Sequence, residues 1–343
     1  MNFFIIFLIF LTIGFFFLNE TLKRKKILID NINFSDHKKF TGQKGVPFSG
    51  GIFFLIIIFF LSETFSTYNI IIFILIFLLG LLSDLNKITS ASKRIIFQSV
   101  LIFSYILVND LVIIDTRLTL IDNLLNDFES IAIFFTFFCI IVLINGTNFI
   151  DGLNNLASGY YFVIFIILIF LNLNNPDLII DQNILFKILL SILIFLFFNF
   201  FSLTFLGDSG AYLLAFFSGF YLIELYNNQI NLSPYFIVLI FWYPAYENLF
   251  SIIRRLLFEK KKVKSADNCH LHHLLFIALS KRFKGNKFIN PLSGLIINFF
   301  NLILFFPAIF YSSKTNILVA LLFIGLIFYN LTYLALRFRI KSK

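Results

Sequence analysis

Long apolar runs alternate with short polar segments along all 343 residues of the chain. Most runs approach the roughly 20 residues that a helix needs to cross a bilayer, although several are shorter. The pattern predicts an all-α, polytopic integral membrane protein with about eleven transmembrane helices in a single domain spanning residues 1–343. The predicted spans are residues 3–18, 50–65, 69–83, 95–109, 131–147, 158–173, 184–201, 210–226, 235–252, 291–311 and 316–335.

Composition supports a membrane protein, since 59% of the residues are hydrophobic and mean hydropathy is +0.94. The first apolar run has no basic residue before it and no small-residue cleavage site, so we interpret it as a first span rather than a signal peptide. Cys139 and Cys269 lie in a span and a basic loop, which favours neither a disulfide nor a cysteine metal site. A net charge of +9 would suggest nucleic acid for a soluble protein, but membrane topology explains it better here.

Basic residues are concentrated in residues 19–47, 84–94 and 253–290 and in the C-terminal tail, which together hold 24 of the 27 Lys and Arg. With eleven spans, all four segments lie on one side. The positive-inside rule then places the N-terminus outside and the C-terminus in the cytoplasm. Residues 253–290 are predicted to form a cytoplasmic basic and histidine-rich loop.

Four polar segments reach this same predicted side: residues 83–84, 145–159, 205–210 and 270–273. Residues 145–159, rich in Asn, Asp and Gly, form either a polar turn between two spans or a ligand or metal site. Asp151 and Asp208 have no Lys or Arg in their own segments, so a divalent cation is their simplest partner. Oxygen ligands favour Mg²⁺ or Mn²⁺ over zinc.

Carboxylates that hold Mg²⁺ beside basic residues and histidines suit the transfer of a phosphate-linked group. Gly207 and Gly210 flank Asp208 and would let the backbone approach a phosphate. Other interpretations stay open. Asp84 could be a helix cap or a surface residue, and the histidines could belong to a solvated loop or an interfacial helix. The run 260–264 is interpreted as a topogenic and lipid-headgroup patch.

Five motifs in order resemble those of the polyprenyl-phosphate N-acetylhexosamine-1-phosphate transferases, a family of integral membrane enzymes. The resemblance covers nearly the whole chain. Residues 44–51 resemble the family's Pro-x-x-Gly-Gly, 80–87 its Asp-Asp-x-x-Lys, 145–159 its Asn-x-x-Asn-x-x-Asp-Gly-x-Asp-Gly-Leu-Ala, 205–210 its Phe-x-Gly-Asp-x-Gly, and 254–275 its Arg-rich loop ending in His-x-His-His.

The resemblance implies transfer of a sugar 1-phosphate from a UDP-N-acetylhexosamine to polyprenyl phosphate, with release of UMP. It implies Mg²⁺, with Mn²⁺ as the alternative, bound by Asn148 and Asp208. The residues with implied catalytic roles are Asp84, Lys87, Asp151 and Asp208. Those with implied substrate-binding roles are Asn145, Asn154, Arg255, His270, His272 and His273.

Three departures from the family pattern bear on substrate choice and activity. Ser83 stands where the family has the first Asp of its pair, Asn154 and Asn155 stand where Asp-Gly is usual, and residues 199–208 lack the expected Pro and Lys. The His-x-His-His form favours the GlcNAc-1-phosphate branch and initiation of a surface polysaccharide such as O-antigen. The alternatives are phospho-MurNAc-pentapeptide transfer in peptidoglycan synthesis, an inactive lipid-phosphate-binding relative, or a secondary transporter.

The expected location is the bacterial inner membrane, with the site on its cytoplasmic face. The expected partners are the UDP-sugar, polyprenyl phosphate and the lipid bilayer, without nucleic acid. Formation of a homodimer is left open.

Overall fold

The computed structural model describes residues 2–29, 45–176, 178, 181–229, 231–256 and 269–341. Within these ranges the regular structure is helical, and the β-type pairing is an isolated antiparallel bridge between Ile29 and Pro47. The α-helices are α1 (Asn2–Lys25), α2 (Gly50–Phe60), α3 (Thr67–Asp84), α4 (Ala91–Asn109), α5 (Thr119–Asp127), α6 (Glu129–Ile150), α7 (Ala157–Asn174), α8 (Gln182–Phe200), α9 (Gly207–Asn227), α10 (Pro234–Ile240), α11 (Trp242–Arg254), α12 (Leu271–Arg282), α13 (Ile289–Phe305) and α14 (Thr315–Lys341).

Nine of the described helices are long and apolar enough to cross a membrane: α1, α3, α4, α6, α7, α8, α9, α13 and α14. Helices α10 and α11 satisfy the same criteria together but meet at a 67° bend, and α2 is a shorter apolar helix. The prediction of an all-helical, multi-pass membrane protein is therefore confirmed for the described part of the chain. The apolar pattern did not predict α5 or α12, which are short and carry more polar residues.

Helix α9 lies at the centre of the bundle, where it packs against α2, α3 and α6. About 83% of its most apolar stretch is buried, compared with 22% for α1, α4 and α14. Its first turns contain Gly, Ser and Ala, and small residues let neighbouring helices approach closely in membranes. The outer helices expose large apolar side chains such as Phe10, Phe17 and Phe299, which suits contact with lipid.

The end of α3 packs closely against the start of α9. A Cβ on Gly80 would overlap the Cα of Ser209, so no larger residue fits there without a shift. Gly207 has φ +72°, and a Cβ on it would lie 2.8 Å from Asp84 Oδ2. Gly210 packs against α2, since a Cβ on it would lie 3.1 Å from the N of Gly51, and the approach of a phosphate to Gly207 and Gly210 stays a prediction. The packing places Asp84 beside Asp208.

The bend between α10 and α11 occurs at Phe241, whose ψ of 7° breaks the helix. Pro244 follows in the first turn of α11, where proline is tolerated because the N–H groups have no intrahelical partner. A Cβ on Gly146 would overlap the Pro244 carbonyl oxygen, so α6 and α11 are in backbone contact. The bend thereby directs Glu247 towards the start of α12.

Candidate active site

Asp84 caps the N-terminus of α9, although the two lie far apart in sequence. Its Oδ1 accepts a hydrogen bond from the N–H of Asp208 at 2.8 Å. Its Oδ2 accepts from the N–H and the hydroxyl of Ser209 at 3.1 and 2.7 Å. The first N–H groups of a helix have no intrahelical partner and carry partial positive charge, which favours a carboxylate there. The cap interpretation of Asp84 is thus confirmed, with α9 as the helix it caps.

Asp208 forms an ion pair that the sequence did not indicate. Its Oδ2 lies 2.8 Å from Arg94 Nη1 and accepts a hydrogen bond from the Ser83 hydroxyl at 2.5 Å. Arg94 Nη1 also donates to Ser83 Oγ at 3.0 Å and to the Tyr212 hydroxyl at 3.5 Å. The Arg94 and Asp208 side chains are 24% and 20% exposed, so the pair lies near water but is partly shielded from it.

Sequence reasoning counted Arg94 only as a topogenic charge. One signal could have identified it. Arg94 lies in the first turn of α4, where the helix dipole disfavours a cation. A partly buried cation in that position is stabilised by an acidic partner from elsewhere in the chain, and Asp208 provides it.

The three histidines pack against the segment that follows α6. A Cβ on Gly152 would lie 2.5 Å from Nε2 of His272 and 2.7 Å from Nε2 of His273. His270, His272 and His273 are all buried, and the His272 and His273 ring centroids are 4.2 Å apart. A solvated loop is therefore excluded for these residues. Asp151, next to Gly152, lies beside the histidine cluster.

Glu247 is a second residue that the sequence patterns did not indicate. Its Oε1 lies 2.9 Å from His270 Nδ1, and its Oε2 accepts a hydrogen bond from the Tyr329 hydroxyl at 2.8 Å. Glu247 is 1% exposed. Its position within an apolar helix that was expected to span the membrane gave no reason to connect it with the histidines.

A small cavity lies between the segments that carry the two groups of residues. One of its walls belongs to the segment leading into α9, and another to the segment against which the histidines pack. Its lining is Phe48, Asp151, Gly152, Leu153, Asn154, Asn199, Phe205 and Leu206. The acidic pair and the histidine cluster therefore lie at the same end of the bundle.

Asn154 and Asn155 belong to a buried amide network. The Asn154 N–H donates to Asn290 Oδ1 at 2.8 Å, and its side chain donates to Ser202 Oγ at 2.7 Å. The Asn155 N–H donates to Asn199 Oδ1 at 2.6 Å. Asn155 has φ +59°, a conformation that Asn tolerates better than most residues, which explains how it replaces the family's usual Gly. In this structure Asn154 contributes to the rigidity of the loop.

The remaining predicted residues occupy varied surroundings. Asn145 donates to Gln98 Oε1 at 3.1 Å, which joins α6 to α4, and Asn148 lies partly buried one turn later. Lys87 is exposed just after α3, and Arg255 is buried at the end of α11. Lys44, residues 257–268 and much of the basic segment 19–47 lie outside the described residues.

The described residues contain no preformed cluster of acidic, histidine or cysteine side chains for the predicted metal. They contain no group of three or more His, Cys, Asp or Glu placed to hold an ion. Both oxygens of Asp84 accept hydrogen bonds from α9, and Asp208 Oδ2 is paired with the Arg94 guanidinium. In this structure the Arg94 guanidinium neutralises Asp208, and a divalent cation bound by Asp208 stays a prediction.

The chain is similar in sequence to two curated transferases. The chain is 32% identical over 146 residues to a probable undecaprenyl-phosphate N-acetylglucosaminyl 1-phosphate transferase from Bacillus subtilis, covering 42% of this chain and 40% of that protein. It is 27% identical over 269 residues to an undecaprenyl-phosphate alpha-N-acetylglucosaminyl 1-phosphate transferase from Thermotoga maritima, covering 78% of this chain and 80% of that one.

A family model matches the part of the chain that contains Asp84, Arg94, Asp151 and Asp208. The model is described as Glycosyl transferase family 4, and it covers residues 65–226. The match supports the resemblance inferred from the motifs, since residues 65–226 are similar to glycosyl transferase family 4.

Proposed function

We propose that the protein transfers N-acetylhexosamine 1-phosphate, with GlcNAc as the first candidate sugar, from its UDP derivative to undecaprenyl phosphate. An oxygen of the lipid phosphate attacks the sugar-bearing β-phosphorus. The bond from that phosphorus to the bridging oxygen breaks, and UMP leaves with the bridging oxygen. One observation carries the proposal: two carboxylates, an arginine and three histidines from distant segments lie at one end of an apolar bundle.

Basic side chains at this end would bind the phosphate groups. Arg94 and the exposed Lys87 would neutralise phosphoryl oxygens, and Asp208 holds the Arg94 guanidinium at 2.8 Å. His270, His272, His273 and Arg255 would hold the nucleotide diphosphate. Asp84 fixes the start of α9, which agrees better with an orienting role than with a base, since a phosphate monoester is already largely anionic near neutral pH.

Mg²⁺ dependence, with Asn148 and Asp208 as ligands, remains a prediction. No step of the proposed mechanism passes through a metal, because Arg94 supplies positive charge beside Asp208 in this structure. Titration of activity with Mg²⁺, Mn²⁺ and EDTA tests the prediction.

The deciding experiment measures UMP release by purified protein in detergent. Undecaprenyl phosphate and a panel of UDP-sugars are supplied, each with and without Mg²⁺, and reactions without lipid serve as controls. Lipid-dependent UMP release supports the transferase and identifies its sugar. Release only with UDP-MurNAc-pentapeptide supports the peptidoglycan alternative. A strain that lacks the protein tests which polysaccharide the product initiates, because that polysaccharide, O-antigen among the candidates, should be lost.

A second candidate is a lipid-phosphate-binding relative that does not catalyse transfer. Ser83 favours it, because a hydroxyl replaces a carboxylate beside Asp208. Folded protein that binds undecaprenyl phosphate but releases no UMP with any sugar would support this reading. A secondary transporter is less well supported, since the polar groups cluster at one end of the bundle.

A further inference from the structure

Glu247 is a buried carboxylate whose two oxygens have different partners. Oε1 lies 2.9 Å from Nδ1 of His270, and Oε2 accepts the Tyr329 hydroxyl at 2.8 Å. The His270 and Glu247 side chains are 3% and 1% exposed. A carboxylate so far from water needs donors on both oxygens, and His270, just before α12, and Tyr329 of α14 each supply one.

We infer that Glu247 is the positioning residue for His270 within the nucleotide-sugar site. This inference rests on the proposed function. A carboxylate oxygen can only accept when ionised, so His270 donates from Nδ1, and Nε2 is the nitrogen left for a substrate phosphate or the uridine. The hydrogen bond also fixes the ring plane, as carboxylates do for histidines in many binding sites.

The surroundings of His270 favour this role over a purely structural ion pair. The His270 ring packs near Phe149 and His272, with centroid distances of 5.7 and 5.4 Å. His272 in turn contacts Gly152 beside Asp151. A buried ion pair is generally a weak source of stability, because desolvation offsets most of the attraction. The Glu247–His270 pair lies where the site needs a fixed imidazole.

The test is a double-mutant cycle between Glu247→Gln and His270→Asn, with steady-state kinetics for both substrates. Glu247→Gln should raise KM for the UDP-sugar about tenfold and leave KM for undecaprenyl phosphate unchanged, since tenfold is typical when a supporting partner is lost. If Glu247 acts through His270, the double variant should be no worse than His270→Asn alone.

Tyr329→Phe is the matched control, because it removes the other hydrogen bond to the same carboxylate. It should change KM for the UDP-sugar less than threefold, which is about half of a tenfold change on a logarithmic scale. Melting temperatures of all variants separate folding from positioning. If Glu247→Gln does not fold, Glu247→Asp, which keeps the charge but shortens the side chain, is used in the same cycle.

Several outcomes overturn the inference. If the double variant raises KM for the UDP-sugar by the product of the two single effects, Glu247 does not act through His270. Equal increases in KM for both substrates, with a lower melting temperature, show a structural role.

If the wild type releases no UMP, the same double-mutant cycle is measured with UDP-sugar affinity instead of KM. Non-additive affinities then sustain the inference while the transferase proposal fails, and absence of UDP-sugar binding by the wild type overturns both.

Discussion

Asp208 is the side chain on which most site contacts converge. Its carboxylate accepts a hydrogen bond from Ser83 and forms an ion pair with Arg94, and its N–H donates to Asp84. The sequence alone marked it through its glycine-flanked position and the missing local counter-ion. The counter-ion is Arg94, 114 residues earlier in the chain.

Asp208→Asn removes the negative charge while preserving size and some hydrogen bonds. We expect turnover to fall by about two orders of magnitude or more, because Arg94 loses its ionic partner and the site loses a carboxylate. UMP release by purified protein measures the change. Asp127→Asn, an exposed carboxylate on α5, is the matched control and should retain full activity. Unchanged turnover in Asp208→Asn would remove Asp208 from the mechanism.

Arg94→Gln tests whether the ion pair serves catalysis. We expect a decrease in turnover of about 10- to 100-fold, with partial activity in Arg94→Lys, since a cation is needed but the planar guanidinium contacts Ser83 as well as Asp208. Lys93→Gln, exposed and adjacent, is the control and should have little effect. Equal activities of Arg94→Gln and Lys93→Gln would contradict the role of Arg94.

The same variant bears on the metal. With Arg94 removed, Asp208 loses its cation, so a divalent ion should bind more readily. We expect Arg94→Gln to bind Mg²⁺ more tightly than wild type in calorimetry. An Mg²⁺ affinity that is identical in the two proteins would show that Arg94 does not compete with a metal.

At the scale of elements, helix packing determines where the site residues meet. The contact between α3 and α9 depends on Gly80, and the contact between α6 and α11 depends on Gly146. Periodicity predicted the helices but not these pairings, because an apolar helix in lipid shows no single hydrophobic face. The sequence likewise did not indicate the bend at Phe241.

Gly80→Ala should disrupt the contact between α3 and α9. The added methyl group meets backbone rather than a flexible side chain, and overpacking of this kind costs about 1 to 3 kcal/mol. We expect a lower melting temperature in detergent and a loss of activity. Gly14→Ala in α1, where a Cβ would meet no atom within 4 Å, is the control. Equal melting temperatures for the two variants would contradict the close packing.

At the scale of the whole molecule, the charge distribution predicts orientation. If the site faces the cytoplasm, residues after α12 lie inside and residues of α5 lie outside. In a cysteine-free background, Asn123→Cys should react with a membrane-impermeant maleimide in intact cells, and Lys284→Cys should react only after permeabilisation. Both positions are exposed. The reverse labelling pattern would show the opposite topology. Labelling of both positions in intact cells would contradict the predicted number of spans between them.

The sequence by itself determined the membrane class and the helical content, and it indicated most of the candidate site residues. Hydropathy is a property of local composition, so the apolar runs that match most of the long helices could be read directly, whereas α5 and α12 could not. Asp84, Asp208 and the histidines stood out because polar residues are costly next to long apolar runs.

Only the tertiary structure decided which polar groups are partners. Arg94 joins Asp208, Glu247 joins His270, and Asn154 joins Asn290 across more than 20 residues of sequence in every case. Such pairings depend on which helices pack together and on the bend that redirects α11. Helix packing in a membrane is determined by close contacts of small residues and by buried hydrogen bonds, and neither leaves a periodic signal in the sequence.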